Sequence, residues 1–375
     1  MIKKVLIVFG TRPEAIKMAP VVKAFQASDK LLTKVCVTAQ HREMLDQVMD
    51  FFSIQSDYDL NLMKPGQNLY NLTSEIIVAL KPILEDYQPD YVFVHGDTTT
   101  TMASSLAAFY FGAQVCHVEA GLRTYNKTSP FPEEVNRQIT GRIADFHFAP
   151  TANSADNLKR ENISLKQIIV TGNTVIDALY ECLEIVNQNK SDIILDLEKK
   201  LDFSKDIILV TGHRRENHGD KFINICQALK SIANQSPNVQ IVYPVHLNPK
   251  VQKPVYDLLS EIDNILLIPP LPYESFVWLM DKSKVVITDS GGIQEEAPSL
   301  GKPVLVMRDT TERPEAVDAG TVILVGTDKD KIVNETVDLL TNEKKYMQMS
   351  KLHNPYGDGN AAEKILNHIL NLNNE

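Results

Sequence analysis

The sequence predicts an α/β protein built as two doubly wound domains facing each other across a cleft. Three observations carry this. Short apolar runs alternate with segments of helical period along the whole chain, the signature of right-handed βαβ crossovers and parallel sheets. The alternation pauses once, at the polar stretch 187–205, and then restarts. A length of 375 residues suits two domains at roughly 100–200 residues each.

In the first half, Val5–Phe9, Val35–Thr38, Tyr91–His95, Val115–Val118, Phe146–Ala149 and Ile168–Val170 read as buried strands. A helix over Leu69–Leu84 follows from Leu69, Leu72, Ile76, Leu80 and Ile83, which recur at i+3 or i+4. In the second half the strands are Ile207–Val210, Gln240–Tyr243, Ile265–Ile268, Val285–Thr288, Val304–Val306 and Thr321–Val325. The joint lies near 170–205, which divides the chain into domains 1–170 and 171–360. A last helix, Ala361–Leu372, follows the turn-rich segment Asn354–Gly359.

Composition narrows the function classes. Apolar residues make up 43% and charged residues 23%, an ordinary soluble balance. A net charge of −10 argues against nucleic acid or an anionic membrane surface as partner. Cys36, Cys116, Cys182 and Cys226 form no C-x-x-C pair and read as reduced core thiols. The apolar start Met1–Gly10 is too short for a signal peptide and runs at once into Thr11-Arg12-Pro13-Glu14. No stretch approaches the ~18 apolar residues of a membrane span. A cytoplasmic protein is expected.

Ligands of open parallel sheets sit at the carboxyl ends of strands. The first strand ends in Gly10-Thr11-Arg12-Pro13-Glu14, followed by Lys17. Thr11 with Glu14 fits a capping box. Arg12 and Lys17 oppose the helix dipole, which a bound anion would explain. Two further strands end in parallel fashion, His95-Gly96-Asp97 and His117-Val118-Glu119. Asp97 serves equally well as the N-cap of the helix that follows. Glu133 and Glu134 open a helix with Val135, Ile139 and Ile143 on one face. Asp97, Glu119 and Glu133 at one sheet edge suit general acid–base chemistry, because crowded carboxylates have split proton affinities. His95, Asp97, His117 and Glu119 are also metal-ligand types, but no H-E-x-x-H or C-x-x-C pattern supports a metal.

The second domain carries anion-binding chemistry. Its first strand ends in Thr211-Gly212-His213-Arg214-Arg215. Further on, Asp289-Ser290-Gly291-Gly292 opens a helix that carries Glu296. Gly291 and Gly292 let backbone N–H groups approach a phosphate, and Glu296 suits the hydroxyls of a ribose. Arg313 adds a cation. There is no G-x-G-x-x-G fingerprint and no Walker A loop, so neither bound NAD nor ATP-driven chemistry is expected.

These segments together resemble the bacterial non-hydrolysing UDP-N-acetylglucosamine 2-epimerases. The resemblance rests on 10–20, His95–Thr98, 118–123, 132–137, 213–217 and Asp289–Glu296, and it runs from residue 1 to the last helix. It implies two Rossmann-like domains of GT-B type, a last helix (361–375) that packs back onto the first domain, and a homodimer. It implies interconversion of UDP-N-acetylglucosamine and UDP-N-acetylmannosamine without metal or redox cofactor, for cell-surface polysaccharide synthesis. By motif, Asp97, Glu119 and Glu133 would be the acid–base groups and His213 would assist UDP departure. Arg12, Lys17, Phe276, Ser290, Gly291, Gly292, Glu296 and Arg313 would hold UDP and sugar. Gln40, His41, Arg214 and His246 resemble a second, activating UDP-N-acetylglucosamine site. Glu43 and Gly66 depart from it, where activated members tend to carry Gln and Arg. The chemistry agrees. C2 of the sugar bears no adjacent carbonyl, so without NAD the open route couples loss of the C2 proton to loss of UDP from C1. The alternatives are a hydrolysing epimerase that releases N-acetylmannosamine and UDP, and a GT-B glycosyltransferase.

Overall fold

The computed structural model describes residues 2–38, 42–62 and 66–372. The chain divides into two compact units, one of residues 1–181 and 356–375, the other of residues 182–355. The division falls inside one helix, so the first unit runs past residue 170.

Unit 1 holds strands β1 (Lys3–Phe9), β2 (Leu31–Val37), β3 (Tyr58–Asp59), β4 (Tyr91–His95), β5 (Gln114–Val118), β6 (Phe146–Ala149) and β7 (Ile168–Val170). They form one parallel sheet in the order β3-β2-β1-β4-β5-β6-β7. Its helices are α1 (Arg12–Gln26), α2 (Arg42–Phe51), α3 (Leu69–Tyr87), α4 (Thr99–Phe111), α5 (Glu133–Ile143), α6 (Ala152–Arg160) and the first part of α7 (Thr174–Gln188). The predicted period of α3 holds for Leu72, Ile76 and Leu80, which with Leu84 pack with Leu6, Val8, Val92 and Val94 of the sheet; Ile83 is partly buried and Leu69, expected on the same face, is 40% exposed.

Unit 2 runs α8 (Asp192–Lys200), β8 (Asp206–Thr211), α9 (Asp220–Gln235), β9 (Val239–Pro244), α10 (Pro249–Leu259), β10 (Ile265–Ile268), α11 (Tyr273–Lys282), β11 (Val285–Thr288), α12 (Gly291–Glu296), β12 (Val304–Val306), α13 (Pro314–Asp318), β13 (Val322–Leu324), α14 (Lys329–Thr341) and α15 (Glu343–Ser350). Its sheet is also parallel, in the order β10-β9-β8-β11-β12-β13. Both units are therefore doubly wound, as the alternation predicts. The polar pause hides α8, which Ser191 caps and which buries only Ile194 and Leu197.

The chain returns to unit 1 at Tyr356, and the last helix, α16 (Ala361–Leu372), packs on α1. Asp177 of α7 holds its start by accepting the N–H groups of Ala361 at 3.2 Å and Ala362 at 2.8 Å. A carboxylate at the positive end of a helix is favourable. Ile365 and Ile369 are buried, and His368 sits edge-on against Phe146 and Phe148.

Strand order reverses between β1 and β4 in unit 1 and between β8 and β11 in unit 2. A doubly wound sheet opens a crevice at such a point. The β1–α1 turn can come close to its neighbours only because residue 10 is glycine. A Cβ there would lie 1.9 Å from Thr38 Oγ1 and 2.7 Å from Thr100 Oγ1.

Candidate active site

In unit 1 the polar residues of the crevice are held by partners distant in sequence. The capping box of Thr11 and Glu14 forms, but Glu14 does more. Its buried carboxylate accepts the N–H groups of Gly10 and Thr11, and also the Thr98 and Thr101 hydroxyls at 2.7 and 3.2 Å. It thereby ties the β1 turn to the β4 turn. Burial pushes its carboxyl upward in pKa against those hydrogen bonds.

Asp97 does not cap α4; Thr98 does, accepting Thr101 N–H at 3.1 Å. The Asp97 carboxylate is left to pair with the Arg137 guanidinium, while Asn136 donates to the Asp97 carbonyl at 3.0 Å. Glu119 follows β5 at φ 61°, a left-handed backbone that costs a non-glycine residue about 1–3 kcal/mol and clusters at functional sites. Its side chain is 8% exposed. Glu119 Oε2 pairs with Lys17, accepts Asn173 Nδ2 at 2.8 Å, and stands 3.8 Å from His95 Nε2. Burial pushes the His95 imidazole down to about 4, so it is neutral beside the Lys17–Glu119 pair.

Burial also pushes His117 down to about 3, and its Nε2 lies 2.7 Å from the Gly96 carbonyl. His117 thus holds the β4 turn instead of facing Glu119. Among the described residues no group of three His, Cys, Asp or Glu side chains is arranged to hold a metal.

The two glutamates that open α5 differ. Glu134 is fully buried and accepts Thr124 N–H, Tyr125 N–H, Gln138 Nε2 and Arg137. Glu133 is partly exposed and makes no such contacts among the described residues. The expected apolar face of α5 is corrected. The helix buries Glu134, Asn136, Arg137, Thr140 and Gly141, and Ile139 is 40% exposed. The reason is the hydroxyl-rich face of α4, with Thr100, Thr101, Ser104 and Ser105 buried, in the helix against which α5 packs.

In unit 2 a cavity of about 530 Å³ is lined by His213, Arg214, Arg215, Glu216, His246, Asn248 and Ser290. His213 and His246 stack, centroids 4.9 Å apart and planes 11° from parallel. Burial lowers the pKa of His213, with Asp289 opposing and His246, Arg214 and His218 adding to the fall. Ser290 stands at the start of α12 without spending its hydroxyl on a cap. Glu296 is buried and accepts Tyr273 OH at 3.3 Å. Arg313 pairs with Glu295. Phe276 is partly exposed on α11, whose Val277 and Trp278 are buried. Arg308 clamps Glu312 through two nitrogens at 2.7 and 3.0 Å and pulls its carboxyl down to about 2.

Unit 1 thus brings together Lys17 and Glu119, with Asp97 on the neighbouring strand end. In unit 2, His213, Arg214, His246 and Ser290 share one cavity, and Gly291 lies beside Arg214. Arg12 is partly exposed and has no ion pair among the described residues. Gln40 and His41 lie outside the described residues. Three residues that sequence reasoning did not single out hold the site. Arg137 was visible as the end of the 132–137 segment and Asp289 as the start of the 289–296 segment. Asn173 carried no sequence signal.

The family model of UDP-N-acetylglucosamine 2-epimerase matches residues 23–370. A UDP-N-acetylglucosamine 2-epimerase of Yersinia pestis is 59% identical over 371 residues, 98% of each chain. One of Campylobacter jejuni is 56% identical over 381 residues, 100% of each chain. A crystal structure of the UDP-GlcNAc 2-epimerase from Neisseria meningitidis bound to UDP-GlcNAc matches at a TM-score of 0.89 and 53% identity, covering 98% of this chain and 100% of that one.

Proposed function

We infer, because the chain belongs to the UDP-N-acetylglucosamine 2-epimerase family, that it interconverts UDP-N-acetylglucosamine and UDP-N-acetylmannosamine without releasing free sugar. A base removes the C2 proton as the C1–O bond breaks, the electron pair forms C1=C2, and UDP departs. A proton is then returned to C2 on the other face and UDP re-adds at C1. This route needs carboxylates on the sugar and a cationic grip that retains UDP. Asp97, Glu119 and Glu133 are the acid–base groups. His213, with the cations of its cavity, serves the diphosphate. Ser290, Gly291, Gly292, Glu296, Arg313, Phe276 and Arg12 hold the nucleotide sugar, while Lys17 pairs with Glu119.

The observation that carries the reading is the state of Glu119. A glutamate in left-handed backbone, 8% exposed and held by Lys17 and Asn173, is neither a helix cap nor a solvated surface acid. Fixed, dry carboxylates are what proton abstraction from a weak carbon acid demands. The supply of UDP-N-acetylmannosamine for cell-surface polysaccharide follows from the product. Val78, Phe109, Tyr110 and Ile139 are exposed on the packed helices α3, α4 and α5, which supports a homodimer. Among the described residues no helix is long and apolar enough to cross a membrane.

The test is incubation with UDP-N-acetylglucosamine alone in D₂O. The expected outcome is UDP-N-acetylmannosamine, with deuterium at C2 of both sugars and no accumulation of free UDP. Stoichiometric free UDP with N-acetylmannosamine would make the protein a hydrolysing epimerase, and dependence on an added acceptor would make it a glycosyltransferase.

A further inference from the structure

The proposed role of His213 does not say which ring nitrogen carries its proton, and Asp289 supplies that. Asp289 follows β11 and is 0% exposed. Its Oδ2 accepts the backbone N–H groups of His213 and Arg214, each at 2.9 Å, and Asn217 Nδ2 at 3.3 Å. Its Oδ1 is buried and accepts no hydrogen bond among the described residues. A buried carboxylate oxygen left unpaired is costly, and native structures keep few such atoms without a purpose. His213 Nδ1 stands 3.9 Å from that oxygen, just beyond hydrogen-bond length. Contacts of this kind commonly tighten once a ligand is bound.

We propose that Asp289 is a positioning residue that receives Nδ1–H of His213 on Oδ1 and so presents Nε2 to the UDP oxygen. The inference rests on the reading in which His213 serves UDP departure. As the C1–O bond breaks, the doubly protonated ring passes its Nε2 proton to the leaving oxygen and becomes neutral, still protonated at Nδ1. On re-addition the proton returns to Nε2. The surroundings leave this task to Asp289. His246 stacks on the ring, and its own Nδ1 accepts Asn248 N–H at 3.0 Å, which places its proton on Nε2. His218 reaches the His213 carbonyl at 3.3 Å, and Arg214 is the neighbouring cation. His246, His218 and Arg214 all disfavour a positive His213; Asp289 alone favours it.

Asp289→Asn tests this. The amide oxygen can still accept the two backbone N–H groups, but an NH₂ then faces His213 Nδ1. That turns Nδ1 into an acceptor and moves the ring proton to Nε2, a swap that disables catalytic histidines elsewhere. With ¹⁵N-labelled histidine at pH 8 and UDP bound, the His213 signals, assigned by their loss in His213→Asn, should show Nδ1–H in the native protein. They should show Nε2–H in Asp289→Asn. In the variant kcat should fall roughly 10²–10³-fold while the UDP Kd changes less than about threefold. An Nε2–H tautomer in the native protein, or an unchanged tautomer and kcat in the variant, overturns the proposal. The native spectrum decides even if the variant does not fold. It also decides if the native protein fails to convert UDP-N-acetylglucosamine, a result that would defeat the functional reading but not the pairing.

Discussion

Replacing Lys17 with methionine separates two jobs that the residue could hold. The family resemblance gives Lys17 to UDP, whereas in unit 1 its ammonium is paired with Glu119, their side chains 14% and 8% exposed. Methionine keeps much of the length and removes the charge. Breaking a buried ion pair by deleting one partner costs about 3–5 kcal/mol, because the other charge is left uncompensated. Glu119 keeps the hydrogen bond from Asn173 Nδ2 at 2.8 Å, so its charge is not wholly uncompensated and the lower end of that range applies. The net loss is about 3 kcal/mol, or roughly 6–12 °C in Tm for a domain of this size. Differential scanning calorimetry should show that drop, with kcat lowered and UDP affinity by titration calorimetry within about threefold of native. An unchanged Tm with UDP binding weakened tenfold or more would return Lys17 to the nucleotide and refute the argument from its pairing.

Three further outcomes are expected. Asp97→Asn and Glu119→Gln should each lower kcat by roughly 10²–10⁴-fold with little change in UDP affinity; loss of UDP binding instead would reassign them. Three histidines of unit 1 are buried with lowered proton affinity: His95 and His147 at about 4 and His117 at about 3. Unfolded, each titrates near 6.5. Between pH 6.5 and 4 these three positions therefore bind up to three more protons when unfolded, and their contribution to stability falls as pH falls, by at most about 4 kcal/mol per pH unit. Urea midpoints from pH 7 to 4.5 should follow that slope, and His147→Phe should flatten it by about a third; a flat native profile would contradict it. Tyr110→Asp should shift the sedimentation coefficient from dimer to monomer, and a native protein that sediments as a monomer would dismiss the α3–α4 face as an interface.

How much of this was legible in the sequence depends on how far away each residue's partner lies. The strands and α3 could be read because their signal is the spacing of their own apolar residues, most of which are the ones buried, such as Leu72, Ile76 and Leu80 of α3. The helix α8 was missed because its two buried residues sit among charges, and β3 because it is two residues long. In the site, motif and position picked out residue types that carry chemistry but not which of two adjacent candidates was free to act. Asp97 and Thr98 are both capping types; the choice between them is made by Arg137, forty residues on, which holds the Asp97 carboxylate. Glu133 and Glu134 both open a helix. Glu134 is taken by the N–H groups of Thr124 and Tyr125, a loop with no periodic signal, whereas Glu133 makes no such contacts among the described residues. Lys17 illustrates the limit most plainly. An isolated cation near a helix start is naturally assigned to an anionic ligand, but the anion beside it here is a glutamate 102 residues away. Whether phosphate or carboxylate claims that ammonium is therefore settled by tertiary geometry, and local sequence carries no trace of the decision.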